Sequence, residues 1–151
     1  MLFLHQVFFQ ILHVRPDHWI TIVKPENEPE EIVYIFDSLH NEPAYSVVEQ
    51  IACLVRTKSD HLTLKMMWCP EQGSGDTCGL HAIANLFEYL SNPHCFAAKN
   101  WKWNDENLRI QRKNSFLKNN LSSFPKSEAW FYDRFKFRQI LFEYPNYCIC
   151  R

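Results

Sequence analysis

The sequence predicts an α+β fold in which a mixed or antiparallel sheet packs against a central helix, and three observations carry that prediction. Four short runs rich in β-branched and aromatic residues fall before residue 70, the pattern of strands. Two stretches, opening at Ser46 and near Cys78, repeat apolar residues at the spacing of a helix with one buried face. All three glycines, Gly73, Gly75 and Gly79, crowd the start of the second helix. Glycine adopts backbone angles closed to other residues and lets another chain approach closely.

Taken in order, Val7 to Val14 is a nearly continuous apolar run ended by Arg15-Pro16-Asp17, and Trp19 to Val23 resumes it as a second strand with His18 at its entry. Lys24 to Glu31 holds two prolines and four glutamates, so it reads as a solvated connection. Ile32 to Phe36 forms a third strand and runs into Asp37. Two strands around one loop pair antiparallel, so the residue entering the first lies near the residue leaving the second. His18 and Asp37 hold those places. Ser46-Val47-Val48-Glu49 has the form of a capping box, and Val47, Val48, Ile51, Ala52, Leu54 and Val55 extend a helix from it to about Arg56. Leu62 to Trp68 alternates apolar and polar positions as a fourth strand.

The second helix is written by Leu80, Ile83, Ala84, Phe87 and Leu90, capped by Asp76 or Thr77 and closed at Ser91-Asn92-Pro93. Further on, Asn104-Asp105-Glu106 opens another helix with Leu108, Phe116, Leu117 and Leu121 as its apolar positions, ended by Pro125. From Trp130 to Tyr147 the chain is rich in aromatics without a period. A strand, a helix and an irregular extension all remain open there.

At 151 residues, 46% hydrophobic and 22% charged, the chain has the composition of one soluble globular domain. The net charge of −1 divides unevenly: residues 1–75 carry five basic and ten acidic side chains, residues 76–151 eleven and seven. That excess is too dilute to call for nucleic acid. The apolar opening is interrupted by His5, Gln6, Gln10 and His13 and has neither a basic start nor a cleavage site, so it reads as neither a signal peptide nor a membrane span. The six cysteines are therefore expected as free thiols in a reducing compartment, nucleus or cytoplasm.

Cys78 falls in the first turn of its helix, where unpaired N–H groups and the helix dipole favour a thiolate. Taken singly it is the small buried residue that most free cysteines are. A catalytic thiol needs a base within hydrogen-bond reach and a third group to orient that base; His18 and Asp37 are candidates for each. Acyl transfer also needs donors for an oxyanion, and Gln72, six residues before Cys78, can offer its amide. Each of these residues also has an ordinary reading, as a surface or satisfied core histidine, a turn aspartate and a loop glutamine.

Together, His18-Trp19-Ile20-Thr21, Phe36-Asp37-Ser38-Leu39 and Gln72 followed after five residues by Cys78-Gly79 resemble the motif set of the ubiquitin-like-protein proteases, the SUMO-specific and adenovirus-type cysteine peptidases. The run Cys78-Gly79-Leu80-His81-Ala82-Ile83-Ala84-Asn85 is similar to that of the divergent branch found in mobile elements and parasites. The resemblance covers about Val7 to Leu90. It implies a cysteine-protease-like fold with His18 as general base, Asp37 as its orienting carboxylate, Cys78 as nucleophile and Gln72 as oxyanion donor. It gives Trp19 the wall of a narrow tunnel for a Gly-Gly tail, against the alternative of a core tryptophan. It also implies a ubiquitin-like protein of SUMO type, or its conjugates, as substrate and partner, with no cofactor and no metal.

The chain departs from the family in having Thr77, not aspartate, directly before the cysteine, with Asp76 one place earlier. By comparison with the family, residues 1–125 correspond to an N-terminally incomplete catalytic domain and 126–151 to an extension. The last residues, Tyr147-Cys148-Ile149-Cys150-Arg151, resemble the opening of a PHD-type zinc finger, with two of the four ligands zinc requires. A catalytically inactive relic, or a module that binds ubiquitin-like proteins, is the alternative to an active peptidase.

Overall fold

In the computed structural model, residues 8–14, 16–55, 57–98, 101–128 and 138–143 are described. Strands β1 (Phe8–Val14), β2 (His18–Lys24) and β3 (Ile32–Phe36) are followed by helix α1 (Tyr45–Leu54), strand β4 (His61–Met67) and helix α2 (Cys78–Ser91). A short α3 (Cys95–Ala98), β5 (Trp101–Trp103), α4 (Asp105–Lys118), β6 (Lys126–Glu128) and β7 (Arg138–Glu143) complete the order. One mixed sheet runs β1-β2-β3-β4-β7, and β5 and β6 form a separate antiparallel pair. Among the described strands only β3 and β4 pair in parallel. Parallel neighbours require a crossover, and α1 supplies it.

The two-residue period of each strand sorts its side chains between two cores. Leu12, Ile20, Ile22, Val33, Ile35, Leu62 and Leu64 turn to the face covered by α1, where Val48 and Ile51 meet them. Val23 and Phe36 turn to the opposite face, where Leu80 and Ala84 of α2 join an aromatic group of Trp68, Phe96, Trp101, Trp103 and Phe124. The sheet is thus the middle layer, and α2 is the central helix that the sequence predicts. Thr21, fully buried, donates its hydroxyl to the Ala82 carbonyl of α2 at 2.7 Å, which fixes the helix along β2.

Three sequence expectations are corrected. Ala44, not Ser46, is the N-cap of α1, and no side chain caps that helix; the helix starts two residues earlier, so Ser46 lies inside the first turn. Thr77 is the N-cap of α2 but its hydroxyl does not cap it; that hydroxyl is used elsewhere, as described below. In α4 only Leu108 is buried, while Phe116 and Leu117 are 77% and 75% exposed. The reason is angular: at about 100° per residue, Leu117 points opposite to Leu108. Within the aromatic stretch whose structure the sequence left open, residues 138–143 form β7, paired antiparallel with β4. The rest of that stretch, with Cys148 and Cys150, lies outside the described residues. Among the described residues no helix is long and apolar enough to cross a membrane.

Replacing Thr21 by valine keeps its shape and removes the bond to α2. A loss of about 1 kcal/mol is expected, measured by urea denaturation of the variant beside the parent.

Candidate active site

The antiparallel register of β2 on β3 places Thr21 opposite Phe36, so His18 and Asp37 come together where β2 begins and β3 ends. His18 Nε2 and Asp37 Oδ1 are 2.6 Å apart, with both side chains nearly buried. Asp37 Oδ1 also accepts the Leu39 N–H at 2.8 Å, and the His40 N–H closes a turn on the Asp37 carbonyl at 2.9 Å. The carboxylate is thereby fixed from both sides. It leaves the other imidazole nitrogen, Nδ1, with no hydrogen-bond partner among the described residues.

Gln72 lies against the same end of the sheet. Its N–H donates to the Ser38 carbonyl at 3.0 Å, and its side-chain oxygen accepts the Ser38 hydroxyl at 2.6 Å. Its amide nitrogen donates to the Ser74 carbonyl at 2.7 Å. The loop leading to Cys78 is in this way stitched to the residue following Asp37.

Cys78 is the first residue of α2 and is 5% exposed. Its sulfur donates to the carbonyl oxygen of Asp17 at 3.9 Å, the residue before His18, and makes no hydrogen bond to the imidazole. Cys78 borders a surface cleft of about 540 Å³ together with Ile11, Asp17, Trp19, Gly79 and Arg112. Trp19, 41% exposed, lies over Gly79, where a Cβ would come within 3.6 Å of its ring, and stacks against His13 with centroids 4.7 Å apart. His18, Asp37 and Gln72 do not line this cleft. None of the glycines has a positive φ; what they provide is room, most of all at Gly73, where a Cβ would lie 3.0 Å from Asp105 Oδ2.

That contact leads to a group not singled out from sequence. Asp105, in the first turn of α4, accepts the Ser74 and Thr77 hydroxyls at 3.3 Å through Oδ2 and bonds His81 Nε2 at 2.8 Å through Oδ1. Arg109, one turn on, bonds Asp76 at 2.8 Å on the surface. His81 is fully buried, and burial holds its pKa below the ordinary imidazole range in spite of the nearby Asp105 carboxylate. The spacing of Thr77, His81, Asn85 and Glu88 was the available signal: these polar residues are all buried along one side of α2. Asn85 accepts the Trp103 indole N–H at 2.9 Å and Glu88 pairs with Lys126.

The other described thiols differ from Cys78 in place. Burial pushes Cys69 well above the usual thiol range and Cys95 up to about 12, which keeps both protonated, and Cys53 is exposed on α1. Among the described residues no three His, Cys, Asp or Glu side chains gather as a metal-binding group. No family model, curated protein or solved structure matches the chain.

The lowered pKa of His81 sets a pH dependence. The unfolded chain takes up a proton at this histidine from about pH 6.5 downwards, before the folded chain does, so stability is lost as pH falls through that window. In urea denaturation, the parent's stability relative to His81→Gln is expected to shrink between about pH 7.5 and about pH 5.5.

Proposed function

We propose that the chain is a thiol peptidase that hydrolyses the bond after the C-terminal Gly-Gly of a ubiquitin-like protein of SUMO type, in precursors or conjugates. The observation that carries this is a buried His18–Asp37 pair adjoining Asp17, the residue whose carbonyl the Cys78 sulfur contacts. The cleft beside the sulfur, walled by Trp19 over the bare face of Gly79, suits an extended chain end without side chains. Nucleus or cytoplasm is the compartment that fits free thiols.

In this mechanism the sulfur leaves the Asp17 carbonyl for Nδ1 of His18, which takes the thiol proton while Asp37 holds the ring through Nε2. The thiolate adds to the glycine carbonyl carbon, and the oxyanion is stabilised by N–H groups at the start of α2 and by the Gln72 amide. The C–N bond breaks as His18 returns its proton to the departing amine. Water, deprotonated by His18, then attacks the thioester, releasing the carboxylate and restoring the thiol.

A second reading, a binding module without catalysis, is favoured by two bonds: the sulfur donates to Asp17 and not to His18, and the Gln72 amide donates to Ser74. A SUMO-type protein ending in Gly-Gly with an electrophilic vinyl ester separates the two. The peptidase is expected to form an adduct on Cys78, lost in Cys78→Ala and slowed by about 10²-fold or more in His18→Ala. Binding of the same protein without an adduct in a folded sample would leave the module in place of the enzyme.

A further inference from the structure

We propose that Asp105 is a positioning residue for Cys78, a carboxylate in α4 that fixes the loop and first helical turn carrying the sulfur. Asp105 takes this role only if Cys78 is the nucleophile, the reading put forward above.

The bonds around the cysteine converge on one group. Ser74 and Thr77 on the N-terminal side and His81 on the C-terminal side all bond the Asp105 carboxylate, so the segment containing Cys78 is held before and behind. Thr77 precedes the sulfur-bearing residue, is fully buried, and uses its hydroxyl on both Asp105 and the Ser74 carbonyl. Gly73 leaves the space that Oδ2 occupies. On the opposite flank, Gln72 ties the same loop to Ser38, beside Asp37. The loop is therefore stretched between two anchors, one next to the proposed acid–base pair and one in α4.

The charge of Asp105 matters as well as its position. The His81 ring N–H donates to it at 2.8 Å, and the Ser74 and Thr77 hydroxyls lie within 3.3 Å while making shorter bonds to Asp76 and to the Ser74 carbonyl; hydrogen bonds to an ionised acceptor are the stronger kind. A neutral amide has half the accepting capacity and presents N–H groups to donors. Asn at 105 would therefore replace charge-assisted bonds by weaker neutral ones and loosen the hold on the loop that carries the sulfur. Small misplacements of a reacting group are costly in rate.

The test is Asp105→Asn in the full chain, with Asp105→Glu for rescue and Glu106→Gln, an exposed neighbour in the same turn, as control. With the Gly-Gly vinyl ester protein, Asp105→Asn is expected to lower the rate constant of inactivation by about tenfold or more while its half-saturating concentration changes by less than about threefold. Asp105→Glu recovers part of the rate, and Glu106→Gln reacts as the parent does. With iodoacetamide at about pH 9.5, where an exposed thiol is largely ionised without help from a base and access sets the rate, Cys78 of Asp105→Asn reacts faster, because the sulfur is buried and the loosened loop exposes it. If the parent forms no adduct with the vinyl ester protein, the peptidase reading fails by itself and the iodoacetamide rate still reports on Asp105. A folded Asp105→Asn that alkylates at the parental rate or slower overturns the positioning role. Should that variant not fold, Thr77→Val, which cuts one of the three bonds, is read in the same two assays. It is expected to shift both in the same directions, and parental rates in both overturn the role.

Discussion

Helix α2 has to satisfy two opposite requirements at once, and the rest of the molecule follows from how it does so. One side offers Leu80 and Ala84 to the aromatic core under the sheet. Another carries Thr77, His81, Asn85 and Glu88, all buried. Buried polar groups are costly unless bonded, so a second layer of chain must lie over that stripe and answer it residue by residue. Asp105 answers Thr77 and His81, Trp103 answers Asn85, and Lys126 answers Glu88. The segment from β5 to β6 is held by these pairs together with its own buried Trp101, Trp103, Leu108 and Phe124. Breaking any one pair strands its partner in a dry environment, a larger loss than the net worth of the bond.

The pair at the sheet end obeys the same rule in a different setting. His18 and Asp37 are brought together by backbone register, without any help from α2. The sulfur comes from the other side, on the first residue of the helix, and the Gln72 loop joins the two systems through Ser38. The site is thus assembled from two independently stabilised parts, the β2–β3 ladder and the α2–α4 contact. Their relative placement is set by few bonds, Thr21 to Ala82 and Gln72 to Ser38 among them.

Much of this was legible in the chain. The alternation of β2 to β4 and the helical spacing from Cys78 define the layers, and the order of strand, acidic loop and strand put His18 beside Asp37 before any coordinates. Those are signals that local period carries. What could not be read was whichever choice depended on a distant partner. Ser46 satisfies a capping pattern, yet the backbone is extended at Ala44 and already helical at Tyr45. Leu117 is apolar at a position opposite Leu108 on the helix and is exposed. Asp105 reads as a first-turn acid, favourable to the helix dipole wherever it sits, and nothing local says that it closes on Gly73, Thr77 and His81. The stripe of polar residues in α2 was present at helical spacing, but polar spacing ordinarily marks a solvated face; burial inverts its meaning.

The glycine cluster shows the same inversion at the site itself. Clustering near a cysteine suggests unusual backbone angles, yet none of the three glycines has a positive φ. Their use is steric and separable: Gly73 admits a carboxylate, Gly79 admits the edge of Trp19, and a Cβ at Gly75 would meet nothing within 4 Å. Asp105 of α4 thus closes on the loop five residues before Cys78, and Trp19 of β2 on the residue after it. A loop held between two such contacts has little freedom to carry the sulfur elsewhere. The Cys78 sulfur, on a buried residue, makes one hydrogen bond among the described residues, to a carbonyl at 3.9 Å.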